Sequence, residues 1–251
     1  MLPLGDRNPT SRFAVVTLLL IVVNVAIYFL FQPTPGNPNS LERAQFTYRT
    51  AAIPEEITSR EPLTAIEVAQ SLGARNAVAV CNTTTAQQEC FPHKRVWLSV
   101  LASMFLHGNV MHVLGNMWFL WIFGNNVEDR LGRAAFVLFY LAAGVFATLA
   151  FVALAPSGTD PLVGASGAIA GVMGAYLVWW PRVRVYVLVG FIPLPFAAWL
   201  WLGIWFVLQF FTDPNSGVAW IAHVGGFLFG MVVAFLLRRE PKRLRPAPTS
   251  Y

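Results

Sequence analysis

The sequence predicts an all-α polytopic membrane protein, a bundle of six transmembrane helices with both termini on the cytoplasmic side. Composition is the first ground: 56% of the 251 residues are hydrophobic, only 12% are charged and the mean hydropathy is +0.58. A soluble domain carries roughly one-quarter charged residues. The second is that apolar runs of spanning length alternate with short polar turns. The third is that the basic residues fall beside those runs and form no single stripe, so the net charge of +5 reads as membrane orientation and not as nucleic-acid binding.

In chain order, residues 1–12 form a short polar segment carrying Arg7 and Arg12. Phe13 to Phe31 is apolar, interrupted mainly by Asn24, and approaches the ~20 residues that a spanning helix needs. It ends in QPTPG with no small-residue cleavage site, which predicts an uncleaved first span. The long segment 32–97 is polar, with six acidic and six basic residues between Gln32 and Trp97. Thr64 and Glu67 have capping-box spacing ahead of Ile66, Val68 and Leu72, so a short helix is predicted to end at Gly73, with loop around it. Cys81 and Cys90 both lie here. They pair if the segment faces an oxidising compartment and are free thiols otherwise.

Leu98 to Phe123 is the second predicted span and carries His107, His112 and Asn116. His112 and Asn116 are four residues apart and share a helical face, whereas His107, five before His112, points away on a continuous helix. Polar side chains at such depth are costly and mark function by default. Residues 124–133, GNNVEDRLGR, read as a charged turn, 134–155 as span three, and 162–180 as span four, closed by Trp179 and Trp180. Pro193 and Pro195 interrupt the next apolar run, which places span five at about 195–211 behind an interfacial segment. Span six covers 218–237, with His223 near its start, and a polar cytoplasmic tail occupies 241–251. The six-helix domain is thus 13–240.

Charge sets the orientation. With the N-terminus inside, eleven of the seventeen basic residues lie in inside segments, among them Arg7, Arg12, Arg130, Arg133, Arg182, Arg184 and Arg238. The short outside turns carry only Asp160 and Asp213. Spans two, four and six then run inward, and His112, Ser166 and His223 all fall in their first halves, near the outer face. The expected location is a prokaryotic cell membrane, with the site open toward its outer face.

Pro161 to Tyr176, PLVGASGAIAGVMGAY, is small, apolar and glycine-punctuated, with Ser166 as its one side-chain hydroxyl apart from the terminal tyrosine. Gly164, Gly167, Gly171 and Gly174 form a strip where another backbone can approach, and Gly226 and Gly230 offer a second strip in span six. A serine hydroxyl beside an imidazole is the minimal activated nucleophile: the ring takes the proton as oxygen attacks a carbonyl and returns it to the leaving amine. The oxyanion then needs preorganised donors, which His112, Asn116 and the Ser166 N–H could supply.

Four segments, HGNVMHVLGN (107–116), GNNVEDRLG (124–132), GASGAIAG (164–171) and AHVGG (222–226), together and in this order resemble the rhomboid intramembrane serine proteases. The resemblance covers spans two to six. It implies a Ser166–His223 dyad, oxyanion stabilisation by His112 and Asn116, a structural or accessory part for His107, Gly164, Gly167, Gly226 and Gly230, and helix five as a lateral gate. It also implies cleavage of single-span membrane-protein substrates near their outward ends. Family members often place an aromatic residue four after the serine, against the histidine ring; here that position is Ala170, so the motif names no partner for the ring.

Other classes fit less well. Every Asp and Glu falls in a terminus, loop or turn, which argues against aspartyl proteolysis within the membrane. No HExxH motif or paired-histidine spacing occurs, so no metal and no cofactor is expected. An inactive relative serving as a membrane-protein binding or chaperone factor would lack the serine or the histidine, and a transporter would show paired broken helices. The expected surroundings are the lipid bilayer and substrate helices, without nucleic acid. Oligomeric state is not encoded in these patterns.

Overall fold

The computed structural model describes residues 2–33, 40–83, 85–213 and 216–238. The tail expected at 241–251 lies outside the described residues. The chain is mostly helical, but it is not all-α: Leu2–Asp6 (β1), Arg184–Val189 (β2) and Ile192–Ala197 (β3) form an antiparallel sheet in the order β1-β2-β3. This corrects the all-α expectation. Val185 and Val187 are buried while β3 is largely exposed along the sheet edge, where Pro193 and Pro195 leave no interior ladder bond unmade. The prolines do break the apolar run, as expected, but what precedes the helix is a hairpin.

The first apolar run forms α1 (Val15–Ala26), which runs into a π-helical turn at Ile27–Phe31. Its N-terminus has no cap of its own, and Glu128 supplies one from elsewhere: the carboxylate accepts from Val16 N at 3.0 Å, Thr17 N at 2.7 Å and Thr17 Oγ1 at 2.8 Å.

The polar segment after it is more structured than a loop with one helix. It folds as α2 (Leu41–Thr50), α3 (Pro54–Ser59), α4 (Ala65–Leu72) and α5 (Ala74–Cys81) around a small core of its own that includes Tyr48, Ile53, Leu63 and Val68. α4 starts at Thr64, whose backbone N–H donates to Glu67 at 2.7 Å, and ends before Gly73 as the spacing predicts. Cys81 and Cys90 form a disulfide, which closes the open question.

The run expected as the second span is not one continuous helix. A short α6 (Val96–Ser103) is followed by a turn over residues 104–109 and then by α7 (Val110–Leu131). α7 continues through residues read from sequence as a charged turn, because Glu128 is paired with α1 and Asp129 accepts from Ser11 N and Oγ at 2.8 Å. Gly132, with a φ of 80°, ends it. α8 (Arg133–Leu154), α9 (Ser166–Trp179), α10 (Ala198–Gln209) and α11 (Trp220–Leu236) complete the bundle. Among the described helices, α8 alone is both long and apolar enough to cross a bilayer by itself.

α9 lies at the centre, packed on α7, α8 and α11, and ten of its fourteen residues are buried. At one end of the bundle β1 is tied down: Asp6 accepts from Tyr176 of α9 and, at 3.1 Å, from Asn126 of α7. Trp179 donates to the Ala234 carbonyl at 3.0 Å, so α11 ends beside α9 and near the N-terminal strand. At the other end, the segment leading into α9 is held by the link between α2 and α3 and by α6: Leu162 N donates to Ala52 O at 2.8 Å and Gly164 N to Ser103 O at 2.9 Å.

Candidate active site

Ser166 is the first residue of α9, so its backbone N–H belongs to the first turn and has no intrahelical partner. Its Oγ lies 2.8 Å from His223 Nε2, in the first turn of α11. What lets these helices come so close is the glycine strip. A Cβ on Gly226 or Gly230 would collide with the carbonyl oxygens of Gly167 or Gly171, and one on Gly174 with that of Phe227. The structure thus sets Gly226 against Gly167 and Gly230 against Gly171, backbone to backbone, along the two helices that start with Ser166 and carry His223.

Gly164 has a different function in the geometry. Its φ of 129° is closed to most side chains, and a Cβ there would lie 2.8 Å from His112 Nε2 and 3.4 Å from Ser166 Oγ. The imidazole of His112 therefore reaches the vicinity of the serine only because residue 164 has no side chain. Asn109 caps α7, its Oδ1 accepting from His112 N at 2.8 Å, and Gly108 N donates to His112 Nδ1 at 3.3 Å. With Nδ1 accepting, the neutral ring carries its proton on Nε2, the atom nearest Gly164. Asn116 follows one turn later, and its Nδ2 is buried with no hydrogen-bond partner among the described residues.

His107 is placed otherwise than its spacing implied. It lies in the turn between α6 and α7, not on a continuous helix, and its ring packs edge-on against His112 with centroids 5.2 Å apart. Its backbone is held from two sides: Gln32 accepts from His107 N at 3.0 Å and donates to His107 O at 3.2 Å, and the buried Arg43 guanidinium donates to the same carbonyl.

Sequence reasoning missed Gln209, the last residue of α10. Its Oε1 lies 2.8 Å from His223 Nδ1, and Trp205 of the same helix sets its ring 6.0 Å from the imidazole. The available signal was an amide inside an apolar run, the same polar-at-depth criterion that singled out Asn116. A small cavity beside Ser166 is lined by Ser103, Thr148, Gly164 and Ala222. No group of three or more His, Cys, Asp or Glu among the described residues could hold a metal ion. Chemically, the arrangement offers a hydroxyl on a proton acceptor, with the His112 imidazole N–H and the Ser166 backbone N–H nearby.

The family model described as Rhomboid domain matches residues 94–240, more than half of the chain. The chain belongs to the rhomboid family. Among its relatives, Rhomboid protein 1, mitochondrial, of Saccharomyces cerevisiae is 27% identical over 59% of this chain and 44% of its own length. Presenilin-associated rhomboid-like protein, mitochondrial, of Bos taurus is 33% identical over 53% of this chain and 36% of its own. Rhomboid protease GluP of Bacillus subtilis is 40% identical over 32% of this chain and 15% of its own. This rhomboid chain thus spans less than half the length of these relatives. Relatives in yeast, zebrafish and cattle whose matches cover more than half of it carry mitochondrial names. That finding overturns the expected prokaryotic cell membrane.

Proposed function

We propose that this rhomboid-family chain is an intramembrane serine endopeptidase that cleaves the transmembrane segments of single-span membrane proteins. The observation that carries the reading is the 2.8 Å contact between Ser166 Oγ and His223 Nε2. In this reading Nε2 takes the hydroxyl proton as Oγ attacks the scissile carbonyl. The oxyanion is received by His112 Nε2–H, Asn116 Nδ2–H and the Ser166 N–H, and the imidazolium then protonates the leaving amine. Water repeats the sequence on the acyl-enzyme.

The membrane arrangement is part of the proposal. The six spans are α1 with its π-turn, α7, α8, α9, α10 and α11, and both termini lie on the arginine-rich face that carries Arg7, Arg130 and Arg184. α9 has 14 residues, about 21 Å at 1.5 Å per residue, against a hydrocarbon core of ~30 Å. A helix of that length is shorter than the hydrocarbon core, which supports a serine lying within the membrane and attack on a chain there.

The test is labelling of the detergent-solubilised protein with a fluorophosphonate, with the modified residue mapped by mass spectrometry. Covalent modification of Ser166 that disappears in His223→Ala is the expected result. An unlabelled serine, or labelling that survives loss of the histidine, would count against the protease and favour a binding-only member of the family.

A further inference from the structure

We propose that Gln209 is a positioning residue for the Ser166–His223 pair, holding the His223 ring in the one tautomer that lets Nε2 accept the serine proton. The inference rests on the serine-protease reading above and deepens it from a dyad to three linked residues.

The amide of Gln209 is buried between two partners and its orientation follows from them. Nε2 donates to the Trp205 carbonyl at 3.0 Å, and Oε1 lies 2.8 Å from His223 Nδ1. Turning the amide over would set Oε1 against the Trp205 carbonyl, two acceptors facing each other, so the nitrogen has to stay on Trp205. An amide oxygen only accepts. His223 Nδ1 must therefore carry the hydrogen, and in the neutral ring Nε2 is left bare, facing Ser166 Oγ at 2.8 Å.

The effect is the one that an aspartate supplies in Ser-His-Asp sites, where the third residue holds the imidazole in the correct tautomer and orientation. A neutral amide does this without placing a charge in an apolar bundle, where a carboxylate is costly. The Trp205 ring, tilted by 35° to the imidazole, flanks it from the same helix. Ala170 sits four residues after the serine and contributes only a methyl group, so among the described residues the contacts of the His223 ring nitrogens are Ser166 and Gln209. α10 thus takes part in a site whose reacting atoms belong to α9 and α11, and its seating, with Trp201 stacked on Phe123 at 5.9 Å, bears on the histidine.

The experiment compares wild type, Gln209→Met, which keeps the volume and removes the acceptor, and Gln209→Glu, which in its protonated form keeps both a donor for the Trp205 carbonyl and an acceptor at the same reach. For turnover of a single-span substrate, Gln209→Met should lower kcat about 10- to 100-fold with little change in KM, and Gln209→Glu should recover much of the loss. A second arm needs no turnover: ¹⁵N NMR of His223 in the inactive Ser166→Ala background. There the ring should hold its hydrogen on Nδ1 when Gln209 is present and become a mixture of tautomers when Met replaces it. A hydrogen found on Nε2 with Gln209 in place, or a tautomer and kcat unchanged by Gln209→Met, would overturn the inference. Failure of the protease reading would instead show as a wild type that cleaves nothing, whatever the tautomer.

Discussion

Gly171 of α9 and Gly230 of α11 meet backbone to backbone, so that a Cβ on Gly230 would run into the carbonyl oxygen of Gly171. The catalytic geometry proposed here depends on that approach, since Ser166 and His223 lie at the start of the same two helices. Gly230→Ala should force the helices apart, lowering stability by roughly 1–3 kcal/mol and reducing cleavage by the folded fraction. Gly115→Ala is the control, because a Cβ there meets nothing within 4 Å. Melting temperatures and rates of the two variants in one detergent check this, and a Gly230→Ala protein indistinguishable from Gly115→Ala would contradict it.

The donors of the proposed oxyanion site separate from their structural neighbour. Asn116→Ala should lose about 10²- to 10³-fold in rate with its melting temperature kept, and His112→Ala should be at least as severe, since His112 reaches the serine across Gly164. His107→Ala should behave oppositely, melting lower while the folded fraction turns over more nearly as wild type, because it removes a fully buried ring from the turn and leaves a void, while the backbone bonds to Gln32 and Arg43 that shape the turn remain. A His107→Ala protein that keeps its stability and loses activity as deeply as Asn116→Ala would place the oxyanion site elsewhere.

Lys94 and Glu56 form a buried ion pair under α3, with Lys94 Nζ also donating to Tyr48 O at 2.7 Å and Glu56 Oε1 accepting from Leu63 N at 3.1 Å. Burial pushes the Glu56 carboxyl above its usual range despite Lys94, and pushes the Lys94 ammonium below its own. A raised carboxyl favours folding at acid pH and loses that contribution as pH rises through its folded value; a lowered ammonium favours folding at alkaline pH and loses it as pH falls. At neutral pH each charge is therefore tolerated only through the other. Lys94→Met should cost about 3–5 kcal/mol and be partly restored by acidification, and Glu56→Gln should be partly restored by alkali. The double replacement Glu56→Gln with Lys94→Met, which removes both charges and keeps the acceptor for Leu63 N, should melt near wild type. Thermal melts across pH check all three, and a double variant as unstable as either single one would contradict the account.

Local patterns read true and long-range ones did not. The Thr64–Glu67 cap and the stop at Gly73 are encoded within ten residues, and the glycine strips show their spacing directly. Polarity at depth picked out His112 and Asn116, the glycine-punctuated stretch picked out Ser166, the rhomboid resemblance added the pairing with His223, and the structure gathers Ser166 with His223 and His112 beside Gly164. The sheet was not legible, because β1 lies at the N-terminus and pairs with residues almost two hundred positions away. The helix of residues 124–131 was misread because Glu128 is hydrogen-bonded by the start of α1 and Asp129 by Ser11, contacts that no local window contains. His107 seemed to face away from His112 only on the assumption of an unbroken helix. Gln209 escaped because its partner, Nδ1 of His223, belongs to another helix.

The most direct measurement is cleavage of single-span membrane proteins by the purified chain in liposomes, followed for wild type, Ser166→Ala and His223→Ala, with and without a chelator. The account predicts products from wild type alone, unaffected by the chelator, with both variants inserted and folded as wild type. Turnover by either variant, or activity lost to the chelator and restored by zinc, would contradict it.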